Sequence, residues 1–419
     1  MTVLVECSPT KIHHSRRLST VSTIKSDEKN PVIISSEYVY KSTQRLVNLN
    51  EDGIKTASKY IHSRMSDTSY APSTWRTQPL HFIPPVPPLT SAAVDAYLSQ
   101  PVVKRTLDWI FFISAMNFSF WSDRGGEERY GVAWYEDGWA AASAEEYTGY
   151  WSLPAATNRA LSRGIPITSP VFLSNPSLCP DSVIEQLFAP SREEGSKDVE
   201  TIPLLAERIK VLRRVSEVLC TRFNGSYLGL IEEWKTRYGE NRTALQLVHM
   251  VVEEFIDFRD EVVWRGKKVM FLKRAQILLA ETWAAFHPLP TQTNTPHPIF
   301  PNGIGQLTMF ADYRVPQILY ILGIIDYAPE ILEQLKSGQL LPHGSESEVA
   351  IRAASILAVE RVKEAIADIH GAGASNDEVT SVLIDFFLWD LAKDVEAGDV
   401  ALGESRKIPP VHRTRSIWY

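Results

Sequence analysis

Asp312, in the stretch LTMFADYRVPQ (307–317), is a carboxylate set between an apolar run and a proline. The residues that follow, QILYILG, place Ile318, Leu319 and Leu322 on the inward face of a helix with Pro316 in its first turn. Capping that helix is one use for the aspartate. A helix starting directly after Asp312 would however put Pro316 where a backbone N–H should bond back to the cap, and proline has none. The other use is chemical: a held carboxylate can stabilise positive charge or exchange a proton with water. Lys273, in VMFLKRAQILLAETWAAF (269–286), lines up with Ile277, Ala280 and Ala284, so its ammonium either reaches the core side or snorkels out from the helix start. In LIDFFLWDLAK (383–393), Asp385 and Asp390 interrupt a helix that is apolar nearly all round, although Asp390 also stands at i, i+3 spacing from Lys393. Aromatic residues are dense around these positions: Phe118, Phe120, Trp121, Tyr150, Trp151, Tyr313 and Trp389. They make either a slot for a flat heterocycle or ordinary core.

The elements that must carry these residues are mostly helical. In DWIFFISAMNFSFW (108–121), Ile110, Ile113, Ser114, Asn117, Phe118 and Trp121 follow the spacing of one helical face, which makes Asn117 a polar residue on an apolar stripe. A short amphipathic helix is predicted over 53–65, and the prolines of HFIPPVPPLT (81–90) force an extended linker. In YWSLPAATNRALSRG (150–164), Ser152 suits an N-cap, Pro154 an early helical position and Gly164 the stop. Further helices are predicted over 201–222, 242–260, 269–286, 315–324, 327–337, 346–370 and 377–396, the 346–370 helix burying Ile351, Ala354, Ser355, Ala358, Val359 and Val362. Residues 122–150 alternate polar and aromatic side chains around glycines, the one strand signal, and predict a small β insertion. Residues 198–200 and the Pro-rich stretch 287–303 read as loops. The expected fold is mainly α: one helical domain over 31–419, preceded by a disordered lead over 1–30.

Composition narrows the function. The 419 residues, 44% hydrophobic and 22% charged, suffice for a large core. Cys7, Cys179 and Cys220 are far apart, which suggests neither a disulfide framework nor a cysteine zinc site and favours a reducing compartment. A net charge of −7 argues against stable binding of a nucleic-acid polymer, yet allows a small anionic ligand in a local basic pocket. No apolar run reaches the ~18 residues of a membrane span. The lead is Ser/Thr-rich with KIHHSRR at 11–17; a transit peptide is the alternative to disorder, but Glu6 and weak amphipathicity favour a cytoplasmic protein. Dinucleotide, P-loop, HExxH and GxSxG signatures are missing. His249 lies on a helical face with Leu245, Val248 and Val252, as a core histidine would.

Taken in order, MNFSFW (116–121), GYWSLPAATNRALSRGIPITS (149–169), FLKRAQILLAETW (271–283), LTMFADYRVPQ (307–317), SEVAIRAASILAVE (347–360), IDFFLWDLAK (384–393) and VHRTRSIWY (411–419) resemble the queuosine salvage family from about residue 31 to 419. That resemblance implies a helical fold similar to DNA glycosylases and an N-glycosidic hydrolysis that frees the base queuine from queuosine 5′-phosphate. It also implies a small-molecule nucleotide as substrate and neither metal nor organic cofactor; a monomer is expected, and the alternative is a non-catalytic protein that binds queuine or a modified nucleoside. The aspartate of the ADYR motif matches Asp312 and the lysine of the KRAQ motif matches Lys273, the two residues expected to be catalytic. Two departures stand out. Leu272 replaces the aromatic residue that often precedes the lysine, and loop 287–303 is expanded.

Such a reaction builds positive charge on the ribose, for which Asp312 is the expected stabiliser, with Lys273 keeping it ionised or touching the ribose. Asn117 and Asp390 are expected at the base edge. Phe118 and Trp121, with Tyr150, Trp151 and Tyr313 in the same slot, would stack the base, a contact worth ~1–3 kcal/mol. Arg314, Arg159, His412 and Arg413 are the cations available to a 5′-phosphate.

Overall fold

The structure, a computed structural model, describes residues 29–134, 145–191, 200–292, 295–370, 379–402 and 406–419. The expected disordered lead, apart from its last two residues, and most of the 198–200 loop lie outside these. The fold is mainly helical, and one continuous apolar cluster runs from Val32 to Ala392. No helix among the described residues is long and apolar enough to cross a membrane.

The central piece is the long helix Glu346–His370, which packs against Pro31–Thr43, Glu51–Asp67, Val315–Ile321 and Ser381–Ala397. Pro31–Thr43 starts cleanly because Asn30 accepts the Val32 N–H at 2.9 Å and Pro31 occupies the first turn. Ser381–Ala397 starts on Thr380, whose hydroxyl accepts the Leu383 N–H at 3.1 Å, and stops on Gly398 in the left-handed region. Lys273–Ala285 packs against Pro101–Met116 and against the 3-10 turn Pro72–Thr77.

The strand expectation is met over residues 122–150, where Gly131–Trp134 pairs antiparallel with Glu145–Thr148. Two further pairs gave no signal: Val47–Leu49 with Ile325–Tyr327, and Glu261–Trp264 with Lys267–Met270. Two helical expectations shrink accordingly. The second of these hairpins takes residues predicted to open the 269–286 helix, and the 242–260 helix ends at Glu254. His249 on it is half-buried. Ser152 is the first residue of its helix rather than the cap, its hydroxyl donating back to the Gly149 carbonyl at 2.6 Å.

The larger correction concerns 108–121. The helix ends at Met116, and Asn117 follows it with φ −78° and ψ 71°. The last carbonyls of a helix have no donors within it, and here buried cations supply them. Arg274 donates to Ala115 O and Arg208 to Met116 O, at 2.7 Å for the latter. Arg208 also reaches Phe118 O, and Lys273 Nζ donates to Asn117 O at 3.1 Å. These bonds reward a turn over another helical step. Ser119 then adopts φ +57°, and the stripe that seemed to join Asn117 to Trp121 is broken.

Candidate active site

The Asn117–Phe120 turn, the start of Lys273–Ala285, the segment before Val315–Ile321 and one face of Ser381–Ala397 enclose a cavity with about 880 Å³ of unfilled space, its mouth included. Asn117, Phe118, Tyr150, Trp151, Lys273, Asp312, Tyr313 and Asp390 all line it.

One guanidinium sets the two central side chains. Arg352, fully buried, donates to Asp260 at 2.5 and 3.0 Å and to Glu348 at 3.4 Å. Asp260 Oδ2 in turn accepts the Lys273 backbone N–H at 3.1 Å, which anchors the helix start just after Leu272, itself buried at φ +52°. From the same group, Arg352 Nε donates to Ala311 O at 3.1 Å, fixing the residue before Asp312. Removing this cation would leave buried Asp260 without its ion-pair partner and Glu348 with only His343 opposite it among the described residues. Arg352→Met is therefore expected to lower unfolding free energy by ~3–5 kcal/mol, read as a fall in the thermal or urea midpoint; an unchanged midpoint would refute it.

Lys273 is 4% exposed, so it does not snorkel. Its Nζ donates to both Asn117 O and Asn117 Oδ1, at 3.1 and 3.0 Å. Burial lowers its pKa to about 8, partly opposed by Asp312. Asp312 takes the capping use that its position allows and also lines the cavity. Its Oδ1 accepts the Arg314 and Val315 N–H groups, each at 2.9 Å, from outside the helix, so Pro316 is no obstacle. Its Oδ2 has no hydrogen-bond partner among the described residues and faces the cavity. Burial raises the Asp312 pKa, while Lys273 and the two N–H groups favour the anion.

Two further carboxyls line the cavity. Asp385 accepts the Phe310 N–H at 3.0 Å, and burial and then the Asp312 charge push its pKa well above the usual range. Glu281, two turns beyond Lys273, sits against the Ser114 hydroxyl at 3.2 Å and the Tyr150 hydroxyl at 3.3 Å, and burial pushes it up to about 7. Rings form the walls. Tyr150, Trp151 and Trp389 meet edge to face with centroids 5.1 to 5.9 Å apart.

Several expected residues stand elsewhere. Trp121 is outside the cavity: its indole N–H donates to Thr414 O at 2.9 Å and Arg415 stacks on it at 3.4 Å, a consequence of the helix ending early. Arg314 turns away to Glu396 at 3.1 Å. Arg159 donates to Leu187 O and Ala189 O, Arg413 pairs with Asp123, and His412 is buried beside Tyr419; none lines the cavity. Conversely, Glu281 and the segment 70–81, with Tyr70, Trp75, Gln78 and His81, line it unannounced. Glu281 could have been found from its spacing to Lys273; the 70–81 segment has no period to read. Among the described residues no three His, Cys, Asp or Glu side chains are grouped as metal ligands would be.

The family model described as queuosine salvage protein matches residues 97–419. A Schizosaccharomyces pombe protein named queuosine 5′-phosphate N-glycosylase/hydrolase is 36% identical over 381 residues, 89% of this chain and 95% of its own. The Mus musculus protein of that name is 36% identical over 320 residues, 75% and 82% of the two chains. One from Sphaerobacter thermophilus is 33% identical over 341 residues, 79% and 90%.

Proposed function

Because the chain belongs to the queuosine salvage family, we propose that its cavity hydrolyses the N-glycosidic bond of queuosine 5′-phosphate, giving queuine and ribose 5-phosphate for queuine salvage and tRNA modification. The observation that carries the catalytic assignment is Asp312: its charge is held by Lys273 and two backbone N–H groups, and its second oxygen is left to the cavity.

As the bond from C1′ to the base nitrogen breaks, its electron pair leaves with the base and positive charge spreads over C1′ and the ring oxygen. Asp312 stabilises that charge and orients the water that adds to C1′. The water's hydroxyl joins C1′, and its remaining proton balances the charge on the departing base. Asp385, raised well above the usual carboxyl range by burial, and Glu281, pushed up to about 7, are the acids available to that base. Lys273 keeps Asp312 ionised and locks the Asn117 turn. Phe118, Tyr150, Trp151 and Tyr313 make the aromatic walls, and a single copy of the chain supplies every group named.

Purified protein incubated with queuosine 5′-phosphate is expected to release queuine, detected by mass spectrometry, with ribose 5-phosphate in equal amount. Tight binding of the nucleotide without release would overturn the hydrolase reading.

A further inference from the structure

Ser119 sits in the turn that follows Pro101–Met116, directly after Asn117 and Phe118, and it is fully buried at φ +57°. An L residue with a side chain rarely stays in that left-handed region unless its surroundings hold it there. The segment 411–419 does the holding. The Ser119 N–H donates to Tyr419 O at 3.0 Å, and the Ser119 carbonyl accepts Arg415 Nη1 at 3.3 Å. Both backbone groups of the strained residue are thus bonded to one stretch of chain, almost 300 residues away. That stretch is itself tied down along its length. The Leu341 N–H donates to Arg413 O at 2.8 Å, the Thr414 hydroxyl to Leu341 O at 2.8 Å, and the Trp121 indole to Thr414 O at 2.9 Å.

Tyr419 belongs to the same charge network that sets the two central side chains. It is 1% exposed, its hydroxyl donates to Glu348 at 2.9 Å, and its ring lies 4.2 Å from the Arg352 guanidinium. Arg352 also holds Ala311 O directly and the Lys273 N–H through Asp260. The residue before Asp312, the start of the Lys273 helix and the Asn117 turn therefore take their positions from one buried group. Tyr419 is the link to the third of these.

We propose that Tyr419 is a positioning residue for the reaction: acting through Ser119, it holds the turn that presents Asn117 to Lys273 and Phe118 to the cavity, and it registers that turn against Arg352. Its kinetic consequence rests on the hydrolase reading above; its geometry does not. In Tyr419→Ala the carbonyl remains in the chain, but the ring and hydroxyl that fix it are gone. Ser119 is then free to relax toward an ordinary φ, which carries Asn117 away from the Lys273 ammonium.

Two measurements on the full chain test this. By amide hydrogen exchange, Tyr419→Ala should exchange the Ser119 N–H at least about tenfold faster than wild type, with Glu346–His370 as protected as before. In single-turnover release of queuine from queuosine 5′-phosphate at saturating enzyme, the rate constant should fall by about tenfold or more, equally at every pH, because a displaced turn is not restored by titration. Tyr419→Phe keeps the ring against Arg352 and should recover the rate to within about threefold of wild type. Partial unfolding does not mimic this result, since the folded remainder keeps the wild-type rate constant. Where the alanine variant does not fold, Tyr419→Leu, which keeps most of the buried volume, carries the same expectations. Wild-type exchange at Ser119, or a wild-type rate constant in a folded alanine or leucine variant, overturns the proposal. Failure of the wild type to release queuine sinks the hydrolase reading instead, and the exchange at Ser119 then decides the role of Tyr419 by itself.

Discussion

Replacing Asp312 by asparagine is expected to lower queuine release by roughly 10²–10³-fold while leaving the protein folded. The amide oxygen of asparagine can still accept the Arg314 and Val315 N–H groups that Oδ1 accepts now, so the local turn survives and only the charge is lost. Stability should not suffer. The Asp312 pKa is raised by burial, so the folded state binds the proton more tightly than the unfolded one, and wild-type stability falls as pH rises through that raised value. At neutral pH the variant is relieved of this burden but leaves the buried Lys273 ammonium with Glu281 and Asp385 as its remaining counter-charges, so it should melt near the wild-type temperature. With the Asp312 charge gone, the repulsion that helps to raise Asp385 also disappears, so Asp385 should titrate lower. Single-turnover release and a melting curve on the same preparation provide the check. Release within a few-fold of wild type would remove Asp312 from the mechanism.

The parts of this site that were legible in the sequence are those carried on regular helices. The helix Glu346–His370 falls where its period put it, and Asp385 announced itself by interrupting an apolar face. What misled was local reasoning about a tertiary decision. Nothing within 108–121 reveals that Arg208, Arg274 and Lys273, all distant in sequence, will take the carbonyls of residues 115–118 and end the helix. Phe118 nonetheless reaches the cavity, because the turn swings it there, while Trp121 is carried out to Arg415. The pairing of Val47–Leu49 with Ile325–Tyr327 is hidden for a related reason: each strand has three residues, too few to show alternation, and its partner lies near the other end of the chain. Segment 70–81 supplies rings and ring nitrogens from irregular backbone, where composition carries no geometry.

Lys273→Met should be nearly as damaging as loss of Asp312, but with a different signature. The lysine performs two tasks that can be told apart. Its charge favours the anionic forms of Asp312 and Glu281, and its hydrogen bonds hold Asn117 O and Oδ1. Methionine fills much of the same volume and removes both. Without the cation, burial acts on Asp312 with only the two N–H groups opposing it, so its pKa must rise further. The acidic limb of the pH profile for kcat, set by ionisation of Asp312, therefore moves to higher pH, and activity near neutrality falls by about 10²-fold with part regained as pH is raised. A contribution from the Asn117 turn would add a loss that raising the pH does not restore, because no titration replaces a missing donor. Measuring kcat across pH for wild type and Lys273→Met separates the two. A uniform loss at every pH would assign Lys273 to holding the turn alone, and an unchanged profile would refute any electrostatic link between Lys273 and Asp312.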